Sequence, residues 1–357
     1  MVGLSARALS QSARSAGYVP LAADLFCDLD TQEAAEQSVR IDCDLERGLE
    51  WPPLEAALEE LASGRAPIGV VAGSGFEDRP GLLDRIAERW PLFGNDGDTV
   101  TRTTDPAGLA ELCRQCGISH PRWSGEPQGS GWLSKQIGGA GGSHVASEGR
   151  GERRYWQERV EGEPVSALVL SSGDSAVVLG LSAQWPDPLP SAPFRYGGAV
   201  RPADVPPETE AALIDAARRV VEAAGLVGLN SVDFLVGAES WHLIEINPRP
   251  GATLDIFRPA EGSLFALHVE ACGGKLPSRM PTFSGAAAAR VVYAARDVKS
   301  VPQFDWPDWA ADRQPPGTAL SAGAPLCTVL AEAATAAEAR RLVETRGATI
   351  AAALGAS

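Results

Sequence analysis

From Met1 to about Asn95 the chain alternates short apolar runs with stretches of helical spacing. Ala6 to Ala16 repeats small and apolar residues at helical intervals and stops at Gly17, a residue that tolerates the left-handed backbone of a helix end. Val19 to Leu25 is a short apolar run and predicts a strand. Leu54 to Leu61 returns to helical spacing. Pro67 to Ala72 predicts a strand opening into Gly73-Ser74-Gly75, and Leu82 to Trp90 predicts another helix. Strand and helix in this alternation predict a parallel, doubly wound sheet. The first strand, Val2 to Leu4, is short and leaves room for a start upstream of Met1.

The segment Asn95 to Pro106 is polar and turn-rich and predicts a domain boundary. A helix follows from Pro106 to Cys116 and ends at Gly117. Trp132 to Gln136 predicts a strand, then comes a run of small residues from Gly138 to Ser143. Tyr155–Val160, Val165–Leu170 and Val177–Ser182 predict three more strands. Glu208 to Ala224 is a long amphipathic helix closed by Gly225. Val227–Val236 and Trp241–Ile246 predict a strand pair across Gly237 to Ser240, with a helix at Leu264 to Cys272. From Ala286 the pattern becomes short strands punctuated by Pro and Gly, ending in an Ala-rich helix from Ala336. The expected division is residues 1–97, 98–285 and a small cap at 286–357, in keeping with a chain of 357 residues.

Composition narrows the chemistry. Hydrophobic residues are 44% and charged residues 22%, an ordinary globular balance. The net charge of -15 repels phosphate backbones and anionic lipid surfaces, so nucleic-acid and membrane partners are not expected. No apolar run approaches the ~18 residues of a membrane helix, and the polar opening does not read as a secretory signal. The six cysteines are scattered and predict a reduced, cytoplasmic setting. Cys113 and Cys116 form one CxxC, but no second pair accompanies it, and its spacing fits a helix core face. Of the four histidines (His120, His144, His242, His268), His120 and His268 have no carboxylate or cysteine in metal spacing, and no G-x-S-x-G is present.

The strongest signal lies in VGLNSVDFLV (Val227 to Val236) and WHLIEINPRPGATLDIF (Trp241 to Phe257). Asp233 sits on the first strand. Glu245 and Asn247 alternate on the second, so their side chains share one face. Two carboxylates and an amide oxygen suit magnesium, which takes few protein carboxylates and fills its shell with substrate phosphate. Arg249, two further along, is suited to a transferring phosphoryl group. A solvated hairpin is the bland alternative, but the flanking Ile244 and Ile246 and the run Asn247-Pro248-Arg249-Pro250-Gly251 speak against it.

An acidic residue on one strand followed by E-x-N-P-R on the next resembles the ATP-grasp superfamily. The resemblance extends over nearly the whole chain. It implies an α/β (α+β overall) fold with an N-terminal Rossmann-like domain, a split central nucleotide-binding domain and a C-terminal strand-rich module. It implies ATP and Mg2+, with Asp233, Glu245 and Asn247 on the metal and Arg249 and Lys135 as catalytic charges. Lys135 lies on the strand before the glycine run. It matches the family's strand lysine, and Gly139, Gly141, Gly142 and Ser143 match the flap that closes over ATP. Tyr155 to Glu163 resembles the hinge, whose backbone, here Arg159 and Val160, reads adenine, with Glu163 for the ribose and Glu158 and Glu161 as alternatives in register. Many members carry a further ATP-contacting lysine; here Thr99 to Pro106 has only Arg102.

The resemblance also implies an acceptor side on the N-terminal domain. Ser5 and Arg7, at a strand-to-helix turn, are candidate anion contacts; Gly73 faces the same crevice, and Asp255 is a candidate holder of an acceptor amine. The implied reaction activates a small-molecule carboxylate as an acylphosphate and passes it to an amine. A carboxylase-like member using bicarbonate and a non-catalytic ATP-binding scaffold are the rivals. The C-terminal segment, from Arg290 to Val329, resembles the carboxylase branch. The opening and tail together are similar to ATP-grasp proteins of one-carbon metabolism that join a glutamate-like or aromatic amine building block. A homodimer is compatible with all of these.

Overall fold

The computed structural model describes residues 1–45, 47–146 and 153–356. The N-terminal part runs α1 (Arg7–Ser15), β1 (Leu21–Asp24), α2 (Leu29–Ala34), β2 (Gln37–Arg40), α3 (Trp51–Ala62), β3 (Val70–Val71), α4 (Gly81–Ala87) and β4 (Leu92–Phe93). β1 pairs with β2, and β3 with β4, both parallel. Val2 bridges Ala23 on one side and Ala72 on the other, also parallel, so one residue joins the two halves into a single twisted layer. The alternation read from the sequence is therefore the doubly wound arrangement expected. The short helix α2 and strands β2 and β4 were not anticipated.

The polar stretch taken as a boundary is instead helical, as α5 (Gly97–Thr104), followed directly by α6 (Pro106–Gln115). Asp96 caps α5 by accepting from the Thr99 amide. Its threonines, poor helix formers, return their hydroxyls to carbonyls three or four residues back: Thr101 to Gly97, Thr103 to Thr99 and Thr104 to Val100. Val100 and Thr103 are buried. The segment was read as turn because its polar atoms are satisfied locally, which composition does not reveal.

A small antiparallel sheet follows, ordered β5 (Trp123–Ser124), β8 (Arg154–Glu158), β6 (Trp132–Gln136) and β7 (Val145–Ala146). The main sheet has eight strands. It is built from β9 (Glu163–Ser172), β10 (Ala176–Pro186), β11 (Tyr196–Arg201), β12 (Val227–Val236), β13 (Trp241–Asn247), β14 (Ala286–Tyr293), β15 (Ala310–Ala311) and β16 (Pro325–Ala333), in the order β13-β12-β9-β10-β11-β14-β16-β15. The sheet thus runs unbroken across the expected division at 285/286. β11, a glycine-bearing strand absent from the sequence reading, makes the join by pairing with β14.

One face of this sheet packs α6 and α7 (Pro207–Ala224) around Val165, Leu213, Val220, Phe234 and Ile246. α7 ends at Gly225 in the left-handed region, φ +66°. The other face packs α1, α8 (Leu264–Cys272) and the 3-10 turn Ala252–Asp255 around Leu168, Leu229, Phe257 and Phe265. At the far end α9 (Ala336–Ala353) covers β14 and β16. The carboxylates of β12 and β13 thereby lie near Lys135 of the small sheet, and Arg249 beyond β13 reaches Glu77 after β3.

Candidate active site

β12 and β13 are antiparallel, with Asp233 directly opposite Glu245 and a bulge after Asp233. Alternation then keeps Glu245 and Asn247 on one face. Asn247 Nδ2 donates to Asp233 Oδ2 at 3.0 Å, and Ser166 Oγ of the neighbouring strand β9 donates to Asp233 Oδ1 at 2.5 Å. Arg249 Nη2 donates to Asn247 Oδ1 at 3.1 Å. Its Nε donates to Glu77 Oε1 at 2.5 Å, and the Gly75 amide donates to Glu77 Oε2 at 2.8 Å. A continuous line of polar contacts therefore runs from the loop after β3 to the two strand carboxylates.

Burial raises the pKa of Glu245 to about 7, with the nearby charge of Asp233 adding to the rise. Burial also raises Asp233, against the pull of Ser166 and Arg249. Two buried carboxylates that resist ionising together are suited to a cation. Among the described residues no group of three or more His, Cys, Asp or Glu is placed to hold a metal. The set here is two carboxylates and the Asn247 amide oxygen, which suits magnesium completed by phosphate oxygens rather than an all-protein cage. A metal at Asn247 Oδ1 competes with the Arg249 donor now on that atom; Glu77 would keep Arg249 anchored by Nε.

Lys135 is buried on β6, and its ammonium donates to Gln157 Oε1 on β8 at 2.8 Å. Burial pulls its pKa down, opposed by Glu245 and Asp233. The small sheet thus brings Lys135 to the strand carboxylates. In the glycine run, Gly138, Gly141 and Gly142 have φ of +74°, +68° and +71°. Gly139 donates its amide to Gln136 O, Gly142 O accepts from Val145, Gly141 O accepts from the Tyr196 amide at 2.9 Å, and Ser143 is exposed. This ties the run to β11.

At the candidate hinge, the Arg159 amide is already taken by Gly131 O at 2.8 Å, while Val160 makes no backbone hydrogen bond among the described residues. Val160 is therefore the open backbone position. Glu158 pairs with Arg122, and Glu161 with Arg159. Glu163 starts β9 opposite Val236 with an exposed side chain. Its alternation matches Val165 and Ala167, which pack towards α7, whereas Ser166 faces Asp233. Arg102 donates to Ala224 O at the end of α7, so it serves that helix terminus.

The four acceptor-side residues do converge: Ser5, Arg7, Gly73 and Asp255 line one cavity of about 180 Å3 between α1, the 3-10 turn and β14. Two of them are not free in the way their sequence context suggests. Arg7 makes a bidentate pair with Asp255 and a second with Asp312. Its guanidinium is therefore committed to protein carboxylates, and Asp255 is held by Arg7.

Glu77, Asn95, Ser166, Tyr196 and Asp312 are the residues that sequence reasoning did not select. Asn95 Nδ2 donates to Asn230 Oδ1 at 2.9 Å and to Pro248 O at 2.8 Å, fixing the peptide before Arg249. The loop carrying Glu77 was visible after a strand, but its partner was not. His268 accepts from the Leu229 amide and faces Phe93 O, and Cys113 is buried in the core below α7, so both are structural.

Residues 113–253 match the family described as ATP-grasp domain. No curated protein matches the chain. Among solved structures, the biotin carboxylase β-γ-ATP complex from Campylobacter jejuni is similar at 15% identity and TM-score 0.70, over 94% of this chain and 87% of that one. The biotin carboxylase domain dimer of Hydrogenobacter thermophilus 2-oxoglutarate carboxylase, in complex with MgADP, ADP and bicarbonate, is similar at 12% identity and TM-score 0.75, over 96% and 88%. The biotin carboxylase domain of a single-chain bacterial carboxylase matches at 17% identity and TM-score 0.70, over 96% and 87%. These likenesses extend the fold beyond the matched segment, through β14 to α9. Residues 113–253 match the ATP-grasp domain family, and the chain as a whole shares the fold of biotin carboxylase domains.

Proposed function

We propose that the chain is an ATP- and magnesium-dependent ligase that activates a carboxylate and passes it to an amine. One observation carries this: Lys135, Asp233, Glu245, Asn247 and Arg249 converge where two sheets meet, although they come from β6, β12, β13 and the loop beyond. Asp233, Glu245 and Asn247 would hold magnesium, which would supply positive charge to offset that of the nucleotide phosphates. Lys135 and Arg249 supply fixed positive charge at the transferring phosphoryl group, and no protein nucleophile is required. A substrate carboxylate oxygen attacks the γ-phosphorus and ADP leaves. The amine then attacks the acyl carbon, phosphate leaves, and the amine gives up a proton.

A second reading, a carboxylase-like enzyme with bicarbonate as the carboxylate, is favoured by the continuous sheet through β14 and β16 and by the near full-length likeness to biotin carboxylase domains. One experiment separates the readings. ADP and phosphate release from MgATP is followed with bicarbonate alone, with pooled small carboxylates and amines, and with each omitted; mass detection identifies a new amide. Glu245→Gln, folded by circular dichroism, serves as the control. Release that needs both carboxylate and amine supports the ligase, and release on bicarbonate alone supports the carboxylase. Absence of release with every pool refutes both.

A further inference from the structure

A cavity of about 180 Å3 lies beside the proposed phosphoryl site. Its wall is distinguished by which charges remain available. A guanidinium has five N–H donors. Arg7 spends Nε and one Nη2 proton on Asp312, one Nη1 and the other Nη2 proton on Asp255, and the last Nη1 proton on Gln11 Oε1 at 3.4 Å. Arg290 also borders the cavity, but its side chain lies on the opposite face of β14, against Gly347 of α9, with Asp187 at 3.8 Å. Arg258 reaches Asp255 only at 3.7 Å from solvent, 54% exposed, where water screens it. Among the described residues the wall therefore holds two carboxylates against one fully committed cation, with no cation left for an incoming anion. The Tyr196 hydroxyl, also in this wall, is buried and has no hydrogen-bond partner among the described residues. A buried hydroxyl left unpaired is costly, so it marks a position for a polar atom of a ligand.

Resting on the ligase reading, we propose that this cavity selects an acceptor amine that carries no carboxylate of its own. An ammonium can donate to the Tyr196 hydroxyl and to the remaining lone pairs of Asp255 and Asp312. The carboxylate of an α-amino acid would meet two fixed negative charges and, among the described residues, no uncommitted cation. A glutamate-like acceptor, one of the substrate classes implied by sequence resemblance, is disfavoured on that ground.

The test compares molecules that differ only by the carboxylate. The full chain, saturated with Mg2+ and the non-hydrolysable ATP analogue AMP-PNP, is titrated by calorimetry with ethanolamine against serine and with 1,4-diaminobutane against ornithine. Each amine is expected to bind about ten- to a hundredfold more tightly than its amino-acid partner. Tyr196→Phe should weaken the amine and leave AMP-PNP affinity unchanged. Asp312→Asn should narrow the amine preference by removing one negative charge and releasing a donor of Arg7. Equal binding, tighter amino-acid binding, or no binding by any probe while AMP-PNP binds would overturn the proposal and leave the nucleotide reading standing. If AMP-PNP itself does not bind, the nucleotide reading fails, and the same pairs titrated into the protein alone decide the charge preference.

Discussion

Glu77 offers the sharpest test of how the site is held together. Its carboxylate is 6% exposed, and the Arg249 side chain it pairs with is 14% exposed. Arg249 holds the Glu77 pKa below its usual value despite burial, which alone would raise it. Glu77→Ala removes one partner of a buried pair and leaves the other charge uncompensated, a change that costs about 3–5 kcal/mol. Arg249 keeps its bonds to Asn247 and the Pro250 carbonyl, so the lower end is expected, about 3 kcal/mol. Glu77→Gln retains a neutral acceptor and should cost about 1–2 kcal/mol. Urea unfolding measures both.

The more telling readout is kinetic. If Glu77 anchors Arg249 while a metal displaces its other contact at Asn247, Glu77→Gln should lower kcat about 10–100-fold, equivalent to about 1.4–2.7 kcal/mol of transition-state stabilisation. KM for MgATP should change much less, since ground-state binding does not depend on that anchor. The pH dependence has a definite sign. A carboxyl whose folded pKa is lowered contributes stability that is complete above its unfolded value, about 4.3, and is lost as pH falls through the lower folded value. The stability gap between wild type and Glu77→Gln should therefore be constant at neutral pH and shrink in acid below about pH 4. A Glu77→Gln enzyme with wild-type kcat, or a gap that widens in acid, would refute the anchoring role.

Two further outcomes follow from the same geometry. Glu245, raised to about 7, retains a proton in the metal-free fold between its ordinary value and neutrality, so the folded state loses stability as pH rises through that window; a divalent ion needs the carboxylate, so Mg2+ should raise the Tm more at pH 8 than at pH 6 and release a proton at the lower pH, and a pH-independent Mg2+ shift that persists in Glu245→Gln would count against the site. If Val160, whose backbone groups are open among the described residues, is the hinge position, adenine should be read there without side chains, so ATP should stabilise the protein against heat at lower concentration than GTP; equal shifts would remove the hinge assignment.

Local pattern carried much of the fold. α7, α8, β12 and β13 fall close to their expected bounds because each has one face of regular apolar spacing and an identifiable end, such as Gly225. α5 escaped because its threonines satisfy their own hydroxyls within the helix. β11 escaped for a different reason. Its Gly197 and Gly198 read as loop, yet at Gly198 the Trp185 ring of β10 and the Ala289 carbonyl of β14 approach so closely that a Cβ would collide with them. The glycines that disguise the strand are what let β10 and β14 close on it. The join between the central and C-terminal parts was therefore hidden at the residue that makes it.

The site divides along the same line between local and distant. Asp233, Glu245, Asn247 and Arg249 lie within one hairpin and its exit, where strand alternation alone puts them on a common face. The groups that set their behaviour come from elsewhere: Glu77 lies 172 positions from Arg249, and Asp312 lies 305 positions from Arg7. No spacing rule connects such pairs, so the sequence shows Arg7 and Asp255 as an available cation and an available anion when the fold has bound them to each other. The distinction has a chemical consequence. On the proposed reading, the strand motif would serve a phosphoryl group whatever the acceptor, because its charges would address phosphate and metal. On the same reading, discrimination among acceptors would fall to the distant contacts, where commitment of Arg7 to two carboxylates leaves a wall suited to ammonium. Changes at Asp312 or Tyr196 should accordingly alter which acceptor is used while leaving nucleotide binding intact, whereas changes at Glu245 should abolish turnover for every acceptor alike.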